Sequence, residues 1–150
     1  MDIASISAII AAVGVIVGVV FTIIELRNLT KQRQADLVIR LYSTMGSSSF
    51  QEVWEKTRDR EYESFKSYET TYGLKEANQI GIFFEGIGVL LNKKLVDIDL
   101  VDDLFTAPVK MFWERMKPLV RDYRKERGLP TIFEWFEYLY NELQKREQTR

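Results

Sequence analysis

The chain of 150 residues contains neither cysteine nor histidine. Without a thiol or an imidazole it has no thiolate nucleophile, no Ser-His-Asp triad, no cysteine- or histidine-ligated structural zinc site and no haem ligation by imidazole. A chain without cysteine suits a reducing compartment, although it suits other compartments as well. These absences exclude several large classes of enzyme and metalloprotein.

The sequence also lacks a net charge of either sign, because 21 basic residues stand against 22 acidic ones. No overall field therefore draws the protein to nucleic acid, and we expect no nucleic-acid partner, because acidic residues interrupt the one basic segment and no recognition motif accompanies it. No glycine-rich phosphate loop, metal-ligand spacing or nucleophile motif is present. We predict no cofactor and no metal.

Charge is absent from the first part of the chain, where Ile3 to Ile24 form an unbroken uncharged run. A helix of about 22 residues at about 1.5 Å per residue spans the roughly 30 Å hydrocarbon core of a bilayer. A cleaved signal peptide is the alternative, but its basic start is missing and the run is longer than its usual length of about 7–15 residues. The run predicts a single transmembrane helix in the cell membrane.

Basic residues outnumber acidic ones just after this run: Arg27, Lys31, Arg33 and Arg40 stand against Glu25 and Asp36. The positive-inside rule then places the N-terminus outside and the C-terminal part in the cytoplasm. We predict an all-α protein with a transmembrane anchor at 1–24, a juxtamembrane helix at 25–46 and a cytoplasmic bundle of about five helices at 47–150.

Small residues recur at spacings of three and four along the predicted anchor and form one stripe: Ala4, Ser7, Ala11, Gly14 and Gly18. Such a stripe lets a second helix approach closely in lipid. The alternative is chance, since small residues are common in membrane helices. The stripe predicts helix packing against a second copy of the chain or another membrane protein.

Two capping-box patterns predict helix starts in the cytoplasmic part. Ser49 is followed by Glu52, and Thr131 is followed by Glu134. In such a box the first side chain accepts a hydrogen bond from the third residue of the helix. We therefore expect one helix to begin after Ser49 and the last helix to begin after Thr131.

Four aspartates lie within residues 97–103. Either Asp97 or Asp99 is expected to cap a short helix, because a calcium loop needs a central glycine and a terminal glutamate that are missing here. The following helix is expected to begin near Pro108, and Pro118 is expected to kink or break it.

Glu85 is the only charged residue in a largely apolar helix between Ile80 and Leu91. Gly81 and Gly88 share its face, so a neighbouring helix should come closest at the glutamate. One interpretation is a structural pair with an arginine or a tyrosine inside the core. The other is a candidate functional carboxylate with a raised pKa, working with arginines such as Arg115 or Arg121.

Residues 110–127 carry a basic surplus. Arg121, Arg124 and Arg127 could contact anionic lipid headgroups. The alternative is a solvated face that also supplies a partner for Glu85.

Aromatic residues are concentrated towards the C-terminus. One interpretation is core packing, and the other is a surface that docks a protein partner, since Trp and Tyr dominate interface hot spots. The predicted partner surface consists of Trp113, Trp135, Phe136, Tyr138 and Tyr140.

Four segments together resemble an uncharacterised family of prokaryotic membrane-anchored helical proteins, classed as a domain of unknown function. They are FFEGIGVL at 83–90, LVDIDLVDDLF at 95–105, FWERMKP at 112–118 and EWFEYLY at 134–140. The resemblance covers most of the chain and implies the same anchored helical architecture. It implies no activity, substrate or catalytic residue, although it suggests that the regions of Glu85, Trp113 and Trp135 matter together.

Two functions follow from these patterns. The first is a membrane-anchored interaction module or accessory subunit, with membrane lipid and a second copy or a membrane protein as partners. The alternative is a ligand-binding effector or enzyme that uses buried Glu85 with arginines.

Overall fold

The structure is a computed structural model that describes residues 2–149, apart from the side chain of Ser5. Met1 and Arg150, the outer ends of the predicted domains, lie outside the described residues. Residues 2–149 form six α-helices and no strand: α1 (Ile3–Met45), α2 (Ser48–Arg58), α3 (Phe65–Tyr72), α4 (Lys75–Asn92), α5 (Ile98–Arg127) and α6 (Glu134–Thr149). The predicted all-α fold, one long apolar N-terminal helix followed by a helical bundle, is confirmed.

The chain divides between Asp36 and Leu37 into two compact units. The first unit is the N-terminal part of α1, where the hydroxyls of Ser7 and Thr22 donate to carbonyls four residues earlier in the same helix. The predicted domain limits at residues 24 and 46 stay predictions.

The second unit is the bundle, which is built around α4. Ile80, Phe84 and Ile87 of this helix are completely buried. α6 and α2 pack against α4, and α5 packs against α6 and α3. Phe84 stacks on Phe136 of α6 with ring centroids 4.9 Å apart. The apolar run that includes Glu85 is thus the central helix of the bundle, as its sequence predicts.

The end of α1 also contributes to the core of the second unit. Val38 is buried, and Leu37, Leu41 and Met45 pack beside it. These residues recur at helical spacing, which is the pattern of a helix with one apolar face.

α5 corrects the prediction of two or three separate helices. It runs unbroken from Ile98 to Arg127 with Pro108 and Pro118 inside it. Each proline costs a helix about 3 kcal/mol, because it removes one backbone hydrogen bond and crowds the carbonyl four residues earlier. The continuous buried face of α5 offsets this cost, and the residues that form it include Val101, Phe105, Val109, Phe112, Trp113, Met116, Leu119 and Val120.

The ends of α2 and α5 follow the capping rules, although the cap of α2 is not the serine that the sequence predicts. Asp97, one of the two aspartates predicted as a cap, caps α5 and accepts a hydrogen bond from the Asp99 N–H at 2.8 Å. Gly128 ends α5 with a φ of 64°, a left-handed conformation that suits glycine. α2 is capped by Ser47, whose hydroxyl accepts from the Phe50 N–H, so the predicted cap at Ser49 is two residues too late.

Candidate functional site

The face of α4 that carries Glu85 meets the start of α6, and we call this contact the α4–α6 joint. Built on Gly81, a Cβ atom would lie 2.6 Å from the ring of Phe133, and on Gly88 it would overlap the carbonyl group of Trp135. Gly88 therefore permits a close approach of the α6 backbone that a side chain would prevent, and Gly81 leaves room for the ring of Phe133. The prediction that a neighbouring helix comes closest on this face is confirmed.

Between the two glycines, the carboxylate of Glu85 caps α6. Its Oε2 atom accepts a hydrogen bond of 2.7 Å from the backbone N–H of Phe136 in the first turn of α6. The first N–H groups of any helix lack partners within the helix and attract negative charge. Glu85 therefore does for α6 what a capping serine does for an ordinary helix, but from another helix 51 residues away in sequence.

The local sequence at the start of α6 explains why the cap is supplied from a distance. Phe133 precedes Glu134, the first residue of α6, and adopts a φ of 55°, which is uncommon for a residue with a side chain. This conformation places its ring over Gly81, and an aromatic ring cannot cap the helix. The predicted start after Thr131 is corrected, because residues 130–133 form turns before the helix begins.

Burial raises the pKa of Glu85 above its ordinary value of 4.5. The backbone N–H groups of Phe136 and Trp135 and the charge of Arg124 act in the opposite direction, and Glu134 adds to the rise. Desolvation is the largest of these effects.

The arginines named as partners of Glu85 have other ion-pair partners. Arg115 is 3.8 Å from Asp59, and Arg121 is 3.5 Å from Asp122. Arg124 donates from Nε to the carbonyl of Ile132 at 2.8 Å and from Nη1 to Glu137 at 2.7 Å. Glu85 therefore lies at a helix terminus rather than in an arginine cluster.

The five residues of the predicted partner surface divide into two groups. Trp113 and Phe136 are buried, with 1% of each exposed, and the centroids of their rings lie 4.8 Å apart. Trp135, Tyr138 and Tyr140 are half-buried. Trp113 and Phe136 thus belong to the core rather than to a surface, and the last three residues are the partly exposed ones.

The three arginines predicted to contact headgroups also differ. Arg121 has 79% of its side chain exposed. Arg124 is tied to Glu137, and Arg127 pairs with Glu69 beside the ring of Phe65. Arg124 and Arg127 are thus tied to other helices of the bundle, whereas Arg121 pairs with Asp122, the next residue of its own helix.

The small-residue stripe on α1 is open in the single chain. Ala4, Ser7, Ala11, Gly14 and Gly18 are all exposed, and a Cβ atom on Gly14 or Gly18 would meet nothing within 4 Å.

Acidic residues do not cluster as metal ligands within the described part of the chain. In the aspartate segment, Asp99 and Asp102 both pair with Arg146 near the end of α6. These two aspartates tie the start of α5 to the end of α6.

The sequence of the chain matches a family described as a domain of unknown function (DUF4760) over residues 7–143. The chain belongs to the DUF4760 family. The family-level resemblance seen in the four sequence segments is confirmed, and the match includes both sides of the α4–α6 joint. No curated protein and no solved structure shows significant similarity to this DUF4760 chain.

One cavity of the DUF4760 chain was missed by sequence reasoning. It has a volume of about 400 Å³ and lies between the end of α2, the segment before α3 and the middle of α5. Its charged residues include Arg58, Asp59 and Arg115. No sequence signal joins these residues, because the two walls, residues 54–68 and 111–116, are far apart in the sequence. Only the packing of α2 and α3 beside α5 brings them together.

Substitution of Glu85 tests its role as a cap. Glu85→Ala should lower the free energy of unfolding by about 1 kcal/mol, because the first turn of α6 loses its acceptor. Glu85→Gln keeps a carbonyl acceptor for the Phe136 N–H and does not titrate. Urea unfolding of the full chain in mild detergent, followed by near-UV circular dichroism, measures both differences.

The difference in stability between the wild type and Glu85→Gln should depend on pH. Since the pKa of Glu85 is raised in the folded state, the folded protein binds this proton more tightly than the unfolded chain. The stability of the wild type relative to Glu85→Gln should therefore be greatest below pH 4.5, fall as the pH rises through the raised pKa, and then level off. A difference that grows with pH would contradict the raised pKa of half-buried Glu85.

Proposed function

We propose that this DUF4760 chain is a single-pass membrane protein, with its N-terminus outside and its helical bundle in the cytoplasm, that works as an interaction module or accessory subunit. Its partners would be membrane lipid around α1 and a second copy of the chain or another membrane protein beside it.

The observation that carries the proposal is the exposure of apolar side chains along α1. Its large hydrophobic residues between Ile3 and Leu29 are exposed by 44% to 84%, and an 18-residue window reaches a mean hydropathy of 2.7 with none of it buried. Leaving apolar surface in water costs roughly 25 cal/mol per Å². A bilayer removes this cost, since the helix is long and apolar enough to cross one.

The orientation rests on the basic residues that follow the apolar run, because the positive-inside rule counts lysine and arginine near the membrane. Arg27, Lys31, Arg33 and Arg40 lie on that side, whereas the described residues before the run include only Asp2 as a charged side chain.

Two surfaces support an interaction role. The open stripe on α1 fits the close approach of another membrane helix. On the bundle, Trp135, Tyr138 and Tyr140 offer half-buried aromatic surface. Because the carboxylate of Glu85 is engaged as a helix cap, the interaction role is favoured over an enzyme that uses Glu85 with arginines.

Self-association is the first test of this function. Gly14→Leu should weaken association of the full chain in mild detergent by about tenfold, a change of about 1.4 kcal/mol. The leucine side chain would block the close helix approach that the small residues allow. The monomer has room for the new side chain, since a Cβ atom at Gly14 meets nothing within 4 Å. Sedimentation equilibrium at several ratios of protein to detergent measures the change.

Ile16→Phe is the matched control, because it adds bulk about 200° around the helix from Gly14. It should leave the association unchanged. Equal association of the wild type and both variants would remove the stripe as a self-association surface, and a wild type that is monomeric at every ratio would leave a different membrane protein as the partner to seek by crosslinking.

A further inference from the structure

The cavity between α2 and α5 has a charged mouth and an apolar wall. Trp54, Met111, Phe112 and Met116 supply apolar surface, and the rings of Trp54 and Phe112 lie 5.4 Å apart. At about 400 Å³ the cavity is within the size range of small-molecule sites, which combine apolar walls with a few placed polar groups.

Asp59 shows that a carboxylate fits between two arginines at this mouth. Arg58 donates to its oxygens from Nε at 3.2 and 3.3 Å and from Nη2 at 3.1 Å. Arg115 approaches from the opposite wall but stays 3.8 Å away, too far for a hydrogen bond. The guanidinium group of Arg115 therefore makes no hydrogen bond to Asp59 and can donate to another acceptor.

All three side chains can rearrange. Arg58, Asp59 and Arg115 are each more than half exposed. Asp59 also follows the last residue of α2, outside the regular helix. An incoming carboxylate can take the place of Asp59 between the two arginines while Asp59 turns to solvent.

The other charged residues of the cavity do not prevent a carboxylate from binding between Arg58 and Arg115. Arg60 is satisfied internally, since it donates to the Tyr68 hydroxyl at 3.1 Å, lies 3.6 Å from Glu76 and packs over the Tyr72 ring. Glu61 lines the cavity but is exposed to solvent, which screens its charge. Arg58 and Arg115 are left to act on a ligand.

We propose that this cavity binds a small organic carboxylate with a flat apolar group. The carboxylate would lie between Arg58 and Arg115 in the place that Asp59 now occupies. The flat group would lie against Trp54, Met111 and Met116. Arginine suits this role because its planar fork matches a carboxylate and its face stacks on flat rings.

The methionines allow the site to be observed directly in the full chain. The protein has four methionines, and Met111 and Met116 line the cavity whereas Met45 does not. With ¹³C-methyl methionine labelling and 2-naphthoate as the probe, the signals of Met111 and Met116 should shift saturably, and that of Met45 should stay in place. The neutral analogue 2-naphthamide lacks the charged hydrogen bond, and acetate lacks the flat apolar group. Each should bind at least about tenfold more weakly than 2-naphthoate, since each of these interactions contributes that much.

Substitutions at the mouth should act in opposite directions. Arg115→Gln should weaken 2-naphthoate binding by about tenfold. Asp59→Asn should strengthen it severalfold, because it removes the charge that competes for the two arginines. A gain of affinity cannot arise from a misfolded protein. Arg121→Gln, an exposed arginine on α5 outside the cavity, is the matched control and should bind like the wild type.

Three results would overturn the proposal. The first is the absence of a saturable shift at Met111 and Met116 up to about 10 mM probe, which is about tenfold above a dissociation constant of about 1 mM. The second is equal binding of 2-naphthoate and 2-naphthamide. The third is an affinity that Asp59→Asn fails to raise. None of these results bears on membrane insertion, so the proposed membrane role stands or falls separately.

Discussion

Gly88→Ala is expected to lower the free energy of unfolding of the bundle by about 3 kcal/mol, which is large for the addition of one methyl group. That methyl group would overlap the backbone carbonyl of Trp135. A side chain in the way could turn aside, but a carbonyl in the first turn of α6 moves only if the helix moves. The displacement would also pull the Phe136 N–H away from Glu85.

Gly86→Ala provides the matched control on the same helix. Gly86 is exposed, and a Cβ atom there would meet nothing within 4 Å. Because alanine is favoured over glycine inside a helix, this variant should be more stable than the wild type by about 0.5–1 kcal/mol. Urea unfolding of the full chain in mild detergent measures both. Similar stabilities for the two variants would refute the close contact at the α4–α6 joint.

Trp113→Ala is expected to destabilise the bundle by about 3–5 kcal/mol. Only 1% of Trp113 is exposed, and the centroid of its ring lies 4.8 Å from that of Phe136 and 6.2 Å from that of Tyr140. Removing the indole would leave a cavity in the centre of the α5–α6 contact.

Trp135→Ala is the comparison for the aromatic surface. Trp135 is half-buried, and its ring contacts Tyr138. Its loss should cost about 1 kcal/mol, the central value for point substitutions. If Trp113→Ala were as mild as Trp135→Ala, the assignment of Trp113 to the core would be wrong.

Much of the fold could be predicted from the sequence because its signals are local. The apolar run of α4, the cap at Asp97 and the glycine at the end of α5 each act within a few residues of their own position. Gly81 and Gly88 gave a further signal, since glycine at helical spacing on one face predicts a close neighbour.

The errors arose where distant packing overrides local preference. Pro108 suggests a helix start and Pro118 a kink or a break, but α5 continues through both because its buried face extends along the helix. Thr131 suggests a helix start, but Phe133 packs over Gly81 and the cap comes from Glu85. No local pattern identifies Glu85 as a cap, because its partner lies in a helix 51 residues later.

Aromatic residues show the same limit. Trp113 and Trp135 both fit the apolar side of a helix, and sequence spacing cannot say which one faces inward. The packing of α6 on α4 and α5 buries Trp113 and leaves Trp135 at the edge. The cavity beside Arg115 could not be predicted either, because it forms only where α2 and α3 pack beside α5.

The most direct test of the membrane proposal is the side of the membrane on which each end of the chain lies. Because the protein has no cysteine, Asp2→Cys and Gln148→Cys each introduce a single thiol without background. Both positions are exposed. In intact cells a membrane-impermeant maleimide should label the thiol at position 2, and it should label the thiol at position 148 only after the membrane is permeabilised. Labelling at position 148 in intact cells would contradict the orientation, and release of the wild-type protein by alkaline carbonate would contradict the anchor itself.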